Sequence, residues 1–152
     1  MTAPLAIQDY YPPDYAVCYG CGRLNAHGLQ VKSHWEGDTA VCRFSPRPYH
    51  TAIPGFTYGG LLASLIDCHG TGTASAAATV AEGRPIGSEP VPRFVTGSLN
   101  VRYEAPTPID AELELKAIVK EIKGRRIVIA IDLFAGGKRT VTGEVVAFRL
   151  MD

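Results

Sequence analysis

Alternation of apolar and polar side chains over the C-terminal part of the chain constrains the fold more than any other feature of the sequence. The alternating segments cover residues 93–104, 111–121, 126–135 and 138–150. They are rich in β-branched residues, and the short stretches PTPID, KGR and AGG separate them. Strands joined by such short turns pair antiparallel. We therefore predict an antiparallel sheet from this half of the chain.

The second segment shows which face of the sheet is buried. One of its faces is apolar and consists of Leu113, Leu115, Ala117 and Val119. The opposite face is charged and consists of Glu112, Glu114 and Lys116. A sheet with one apolar face needs a covering element, because that face must be removed from water.

The N-terminal half supplies a hairpin and the cover. Residues 29–35 and 39–44 flank the stretch EGD and predict two strands joined by a turn. From near Tyr58, about twenty residues rich in leucine and alanine contain no proline, which predicts one long helix. We expect an α+β domain in which a curved antiparallel sheet wraps around one long central helix.

Proline and tyrosine dominate the start of the chain. Residues 1–17 are predicted to form an extended N-terminal arm that lies on the body without regular structure. Residues 18–152 are predicted to form a single domain, since they contain no repeat or linker.

Composition narrows the class of protein. Fifteen basic residues balance fifteen acidic ones, and 20% of residues are charged. This balance indicates neither a nucleic-acid partner nor a membrane surface. The first twenty residues lack the pattern of a signal peptide, so we expect a cytoplasmic protein with free thiols.

One carboxylate stands out within the predicted helix. Asp67 lies on a stripe whose other members are all small, namely Gly60, Ala63, Ser64, Gly70, Thr71 and Ala74. The larger side chains are expected to face the sheet, namely Leu61, Leu62, Leu65, Ile66 and His69. The stripe would let a ligand or another backbone approach Asp67.

Two glycines stand at the predicted helix start. Without side chains, Gly59 and Gly60 can bring amide N–H groups close to a ligand at the positive end of the helix dipole. Such donors form an oxyanion hole in acyl-transfer enzymes. A solvent-facing carboxylate after a flexible turn explains the same residues, so this pattern alone leaves both interpretations open.

Three motifs carry a family resemblance. The helix entrance YGGLLASLID, the segment RFVTGSLNVRYEAPTPID and the opening CYGCGRLNAHGL are similar, in this order, to motifs of PaaI-like hotdog acyl-CoA thioesterases. Together they cover most of residues 18–150. The resemblance implies the hotdog fold and hydrolysis of an acyl-CoA thioester, with no cofactor.

The resemblance also implies roles for individual residues. Asp67 matches the carboxylate that acts as general base or nucleophile, and Thr96 matches the hydroxyl that positions the attacking group. Gly59, with Gly60 beside it, matches the donor to the thioester oxygen. The family places the site between subunits, which implies a homodimer or a dimer of dimers.

Two positions depart from the family pattern. The usual histidine before the glycines is Tyr58, and the usual Asn or Gln is Ala52. The side chains able to supply the missing hydrogen bond are Tyr58, Ser64, His50 and His69. The departures favour, as an alternative function, a non-catalytic acyl-CoA binding or sensing module. A hotdog dehydratase is a third hypothesis, although the His and acidic pair of such enzymes is not evident.

Basic residues at the KGRR turn are candidates for the coenzyme A phosphates. Lys123, Arg125 and Arg126 stand at a predicted hairpin tip, where a solvated turn is the simpler explanation. Arg84 and Arg93 are alternatives for the same role.

The four cysteines are candidates for metal or redox chemistry. Cys18 and Cys21 have C-x2-C spacing, with His27 as a possible third ligand and Cys42 and His34 as more distant ones. The spacing would also suit a redox pair, but the strand–helix context of thioredoxin is missing. We expect no metal, a turn packed with buried thiols, and Cys68 in the core.

Overall fold

A computed structural model describes residues 4–151. The first three residues of the predicted arm and the last residue of the predicted domain lie outside the described range. The strands are β1 (Ser33–Glu36), β2 (Thr39–Phe44), β3 (Phe94–Tyr103), β4 (Leu113–Lys123), β5 (Arg126–Ala135) and β6 (Lys138–Arg149). One long helix, α1, spans Gly59–Ala81.

All six strands form one antiparallel sheet around α1. The order across the sheet is β1-β2-β4-β5-β6-β3, so β1 and β3 are its edges. The helix contacts every strand. The apolar face of β4 meets the core as predicted, with Leu113, Leu115 and Ala117 fully buried. The predicted α+β class and the sheet wrapped around one helix are confirmed.

Strand β1 begins later than predicted. The prediction placed its start at residue 29, whereas the strand begins at Ser33. Gln30 adopts a positive φ of 58°, which interrupts the extended backbone. The N–H groups of Leu29 and Val31 instead donate to the carbonyls of Tyr19 and Gly20. This stretch therefore holds residues 18–22, the C-x-G-C-G turn, against the body.

The N-terminal arm is more ordered than predicted. It contains two 3-10 helices, Ile7–Tyr10 and Pro13–Tyr15, so the prediction of an arm without regular structure is corrected. Ile7 and Tyr11 are buried at 3% and 2% exposure. The arm lies on the body as expected, because these side chains extend the core.

The small-residue stripe of α1 is open over only part of its length. Every residue from position 68 to position 79 is buried. A Cβ atom at Gly70 would lie 2.5 Å from Val145 Cγ2, so this glycine lets the helix approach β6. The expectation that the whole stripe accepts a ligand is therefore wrong for Gly70, Thr71 and Ala74. The accessible part runs from Gly60 to Asp67.

Strand β3 is irregular where it passes the helix. The pairing of β3 with β6 shifts between Thr96 and Ser98, which leaves Gly97 as the extra residue of a β-bulge. Val95 and Leu99 on this edge strand are 47% and 40% exposed. The bulge changes the direction of the side chains along β3, an edge strand that also carries exposed apolar groups.

Candidate active site

The Asp67 carboxylate meets the hydroxyl of Thr96. Asp67 is half-buried on α1, and Thr96 is exposed on β3. Thr96 Oγ1 donates a hydrogen bond to Asp67 Oδ1 at 2.5 Å. The β-bulge directly follows Thr96. Two sequence-predicted residues that are far apart in the chain are therefore in contact.

Within residues 4–151, Asp67 forms no ion pair with a lysine, arginine or histidine. Its Oδ2 atom also has no hydrogen-bond donor within that range. One carboxylate oxygen is thus held by Thr96, and the other is available to accept a proton or to attack an electrophile.

The helix start presents free amide donors. Tyr58 is the N-cap of α1 and provides no side-chain cap. Leu61 and Leu62 donate to the Tyr58 carbonyl. The N–H groups of Gly59 and Gly60 have no acceptor among residues 4–151. They are unpaired donors at the positive end of the helix.

The two glycines are constrained differently. A Cβ atom at Gly60 would lie 2.5 Å from the Tyr58 ring, so Tyr58 occupies the space beside it. A Cβ atom at Gly59 would make ordinary contact, 3.5 Å from the Tyr103 ring. The Tyr103 hydroxyl donates to the Gly59 carbonyl at 2.7 Å and ties β3 to the helix start. A side chain at position 60 would therefore require the exposed Tyr58 ring to move, whereas position 59 has room for a Cβ atom.

A cavity of about 450 Å³ lies beside this helix start. Its lining brings together Gly60 and three of the proposed substrate-binding residues, Tyr58, Ser64 and His50. Ser64 Oγ donates to the Gly60 carbonyl at 2.9 Å. Asp67 and Thr96 do not line this cavity. The predicted site residues thus form two groups rather than one.

Helix geometry keeps these groups apart within a single chain. At 1.5 Å per residue, Asp67 lies about 10 Å along the axis from Gly60. A carbonyl whose oxygen is bound at the Gly59 and Gly60 N–H groups cannot also have its carbon within about 3.5 Å of the same chain's Asp67. Direct contact of both groups with one carbonyl is therefore not possible within a single chain.

His50 and His69 differ in what they offer this region. His50 Nδ1 accepts a hydrogen bond from the Arg47 N–H at 2.9 Å. Partial burial, with Arg47 adding to it, lowers the pKa of His50 and favours the neutral ring. His69 is fully buried and faces away from the cavity, towards Ser33 and Ala40. The structure therefore excludes His69 as the source of the missing hydrogen bond.

The candidate phosphate-binding arginines are also distinguished by their contacts. Arg126 pairs with Glu121 at 3.0 Å. Arg125 is exposed and donates from Nε to the Arg149 carbonyl, with no carboxylate partner in residues 4–151. The two alternatives have other partners. Arg84 donates hydrogen bonds to Ser88, Pro90 and Glu82. The Arg93 guanidinium lies over the Tyr11 ring.

A sulfur cluster was missed by sequence reasoning. Cys68 of α1 lies beside Cys18 and Cys21, and the three Sγ atoms are all within 4.8 Å of one another. Hydrogen bonds from Cys21 and Cys68 lower the pKa of Cys18, while Cys18 raises the pKa of Cys21 to about 11. His27, which the sequence offers as an alternative third ligand, is exposed and outside the cluster.

An antiparallel sheet wrapped around one long helix defines the hotdog class of proteins. Residues 54–142 match the sequence model of the Thioesterase superfamily, and the chain belongs to that family. No helix in residues 4–151 has the length and apolar character that crossing a bilayer requires.

Solved structures agree with this assignment. A thioesterase superfamily protein from Shewanella loihica is 46% identical and superposes with a TM-score of 0.68, covering 84% of this chain and 96% of that one. A thioesterase from Haemophilus influenzae is 14% identical, with a TM-score of 0.65 over 80% of this chain and 79% of that one. The second likeness concerns the fold alone.

Curated relatives include acyl-coenzyme A thioesterases. THEM4 of Xenopus laevis is 32% identical over 87 residues, which is 57% of this chain and 33% of the relative. THEM5 of Mus musculus is 30% identical over 108 residues, which is 71% of this chain and 38% of the relative. This chain therefore spans well under half the length of these relatives.

Proposed function

We propose that this protein hydrolyses acyl-CoA thioesters, with Asp67 as the reactive carboxylate. The observation that carries the proposal is a half-buried carboxylate that Thr96 holds by one oxygen and that no cation among residues 4–151 neutralises. Membership of the Thioesterase superfamily and the names of the curated relatives support the reaction and the substrate class.

In the proposed reaction, Asp67 removes a proton from water and the resulting hydroxide attacks the thioester carbon. The tetrahedral oxyanion accepts hydrogen bonds from the N–H groups of Gly59 and Gly60, where the helix dipole adds stabilisation. The C–S bond then breaks, and the coenzyme A sulfur takes the proton from Asp67. Thr96 keeps the carboxylate oriented throughout.

Direct attack by Asp67 is the other route to the same products. It would form an acyl-enzyme anhydride, which water then hydrolyses. A single turnover in H2¹⁸O tests for this route by mass spectrometry of the enzyme. Label in the Asp67 carboxylate indicates attack by Asp67, because water has then added to the aspartyl carbonyl of the anhydride. Label in the fatty acid alone arises either from a base or from water that adds to the acyl carbonyl of the anhydride.

We propose that two chains form each site. The separation of about 10 Å along one helix between Gly60 and Asp67 supports this, because neither group reaches a carbonyl held by the other. The edge position of β3 and the exposure of Val95 and Leu99 there support pairing with a second copy. Asp67 and Thr96 then come from one chain, and Gly59 and Gly60 from the other.

Coenzyme A is proposed to lie towards the hairpin between β4 and β5. Thr96 pairs with Ala147, which pairs with Ile127. Two strand spacings, about 10 Å, thus separate Thr96 from the strand that begins at Arg126. Arg125 and Arg126 are proposed to meet the phosphates there, and the cavity beside Tyr58, Ser64 and His50 to receive the acyl group.

Thiol release from a panel of acyl-CoAs tests the function. Wild type is expected to release coenzyme A from at least one member, and Asp67→Asn to lose about 10²- to 10⁴-fold of kcat. Asp38→Asn, in the exposed β1–β2 turn, is the matched control and should retain full activity. Equal rates in wild type and Asp67→Asn would refute the assignment.

A non-catalytic acyl-CoA binding module is the second candidate. The observation that favours it is Tyr58, whose ring lies against Gly60 where the family pattern has histidine. Calorimetric binding of several acyl-CoAs with no thiol release from any of them would support this alternative.

We also propose a reducing compartment, such as the cytoplasm, as the location of the chain. All four cysteines are free thiols, although Cys18, Cys21 and Cys68 lie within a few ångströms of one another.

A further inference from the structure

We propose that Cys18, Cys21 and Cys68 form a zinc site that fastens the N-terminal C-x-G-C-G turn to the middle of α1. The proposal rests on the convergence of three sulfur atoms from two distant parts of the chain. Cys18 and Cys68 are 50 positions apart in sequence, yet their Sγ atoms are 3.9 Å apart.

The distances between the sulfurs suit a tetrahedral ion. Zinc binds cysteine sulfur at about 2.3 Å, so two sulfurs on one tetrahedral ion are about 3.8 Å apart. The Cys18–Cys68 separation of 3.9 Å matches this value. Cys21 Sγ is within 4.8 Å of both, so small side-chain rotations complete the set.

The two glycines of the turn are explained by the same cluster. A Cβ atom at Gly20 would lie 2.2 Å from Cys68 Sγ, so only glycine leaves room for that sulfur. A Cβ atom at Gly22 would lie 2.4 Å from the Cys18 backbone nitrogen, so the turn itself admits no side chain there. Both glycines thus preserve the approach of Cys68 to Cys18 and Cys21.

The backbone of the turn is also arranged around the first sulfur. The Gly20 N–H donates to Cys18 Sγ at 3.3 Å, and the Gly22 N–H closes the turn on the Cys18 carbonyl at 2.8 Å. Hydrogen bonds to a ligand atom fix its orientation before the ion binds. A turn that only filled space would not require a donor aimed at the sulfur.

Accessibility supports three protein ligands and one open position. Cys21 and Cys68 are 2% and 7% exposed, while Cys18 is of intermediate exposure. An ion can therefore enter from the Cys18 side, and water can occupy the fourth position there. The Arg93 guanidinium lies 4.3 Å from the centre of the Tyr11 ring. Its positive charge lowers the pKa of Cys21 and so opposes the effects that raise it.

The site would act on structure rather than on the thioester. Cys68 directly follows Asp67 in the chain. An ion bound to Cys68 and to the N-terminal turn would immobilise the helix turn that carries the reactive carboxylate. This inference does not depend on the proposed activity, because its readout is metal content.

Metal analysis of the purified full chain tests the proposal. After growth with zinc and exhaustive dialysis, wild type should retain about one zinc ion per chain. Cys18→Ala, Cys21→Ala and Cys68→Ala should each reduce the retained zinc to near zero. Cys42→Ala, which alters a buried thiol outside the cluster, is the matched control and should keep wild-type zinc content.

Cobalt titration of wild type from which zinc has been removed by a chelator needs no variant and covers the case in which a buried alanine variant does not fold. Co²⁺ should produce sulfur-to-metal charge-transfer bands and the intense visible bands of tetrahedral cobalt, and zinc should abolish them. Wild type without zinc and without these bands, or alanine variants that keep their zinc, would overturn the proposal. Equal zinc loss from Cys42→Ala and Cys68→Ala would overturn it as well.

Discussion

Asp67 and His69 are two residues apart on the same helix but lie in opposite environments. Asp67 is half-buried and hydrogen-bonded to one exposed hydroxyl, so one of its oxygens is available. His69 is fully buried, and both ring nitrogens are used, by the Ser33 hydroxyl at 2.7 Å and the Ala40 carbonyl at 3.1 Å. The two residues thus mark a proposed reactive face, which carries Asp67, and a structural face, which carries His69, about 200° apart around the same helix.

The bonds of His69 define its state. The Ala40 carbonyl can only accept, so Nε2 carries the proton and Nδ1 accepts from Ser33. Ser33 is bonded in turn to Gln8 of the N-terminal arm. The structural face therefore links the arm, the β1–β2 hairpin and the helix through buried hydrogen bonds. Each side chain in this network has a hydrogen-bond partner.

After Asp67→Asn, the largest effect on the proposed active site is expected from Gly59→Pro, at the helix start. Proline at the first helical position fits, because Tyr58 has φ −61° and ψ 130°, which suits a residue before proline. The substitution removes one oxyanion donor and should lower kcat by about 10²- to 10³-fold. Gly59→Ala keeps the N–H and should remain near wild type. Equal loss in both variants would remove Gly59 from the oxyanion hole.

His69 should instead control stability against acid. Burial lowers the pKa of His69 to about 4, and the bond to Ala40 opposes this only in part. In the unfolded chain, His69 takes up a proton near pH 6.5. The contribution of neutral His69 to the free energy of unfolding is therefore fully present above that pH and is lost as the pH falls towards 4. The loss amounts to about 3 kcal/mol.

Denaturant titrations across this pH range measure the effect. His69→Gln should be less stable at neutral pH and should lose most of the pH dependence between 6.5 and 4. A variant whose pH dependence equals that of wild type would show that another group titrates. Activity per folded molecule should not change, in contrast to Gly59→Pro.

Whether a feature of these two faces can be predicted from sequence depends on how far apart in the chain the contacting residues are. Period-two alternation predicts β5 at its observed bounds, because strand faces repeat locally. The face assignments of Leu65 and His69 follow from helical spacing in the same way. Local pattern is sufficient for the elements and for which of their faces is buried.

Long-range contacts could not be predicted from the pattern. The cluster of Cys68 with Cys18 depends on where an N-terminal turn packs against the helix, and no periodicity records that. The family resemblance implies a positioning role for the Thr96 hydroxyl, but not its hydrogen bond to Asp67. That bond forms beside a bulge that the sequence marks only by Gly97. The late start of β1 depends on the positive φ of Gln30.

Thr96→Val should have a smaller effect on the reactive face. It removes the donor to Asp67 while keeping the shape of the side chain, and a hydrogen bond to a charged group contributes about 1.5–3 kcal/mol. We expect kcat to fall by about tenfold or more, because Asp67 loses the group that orients it. Thr96→Ser retains the hydroxyl and should restore most of the rate. If the serine variant is as slow as the valine variant, the hydroxyl is not what positions Asp67.

Arg125→Gln should have the smallest effect. An exposed arginine that meets a phosphate contributes about 1 kcal/mol, so KM for the acyl-CoA should rise about fivefold with kcat unchanged. Lys138→Gln, an exposed change at the β5–β6 hairpin, is the control and should leave KM unaltered. An identical response of the two variants would indicate a general effect of charge. At high salt, the ratio of KM in Arg125→Gln to KM in wild type should approach one, because salt screens the charge interaction.

Complementation between two inactive chains tests most directly the claim that two copies build each site. Asp67→Asn and Gly59→Pro chains are unfolded together, refolded as a mixture and assayed for thiol release. If each site takes Asp67 from one chain and Gly59 from the other, random pairing restores about a quarter of wild-type activity. Activity no higher than that of the separate variants would contradict the account and place the whole site within one chain.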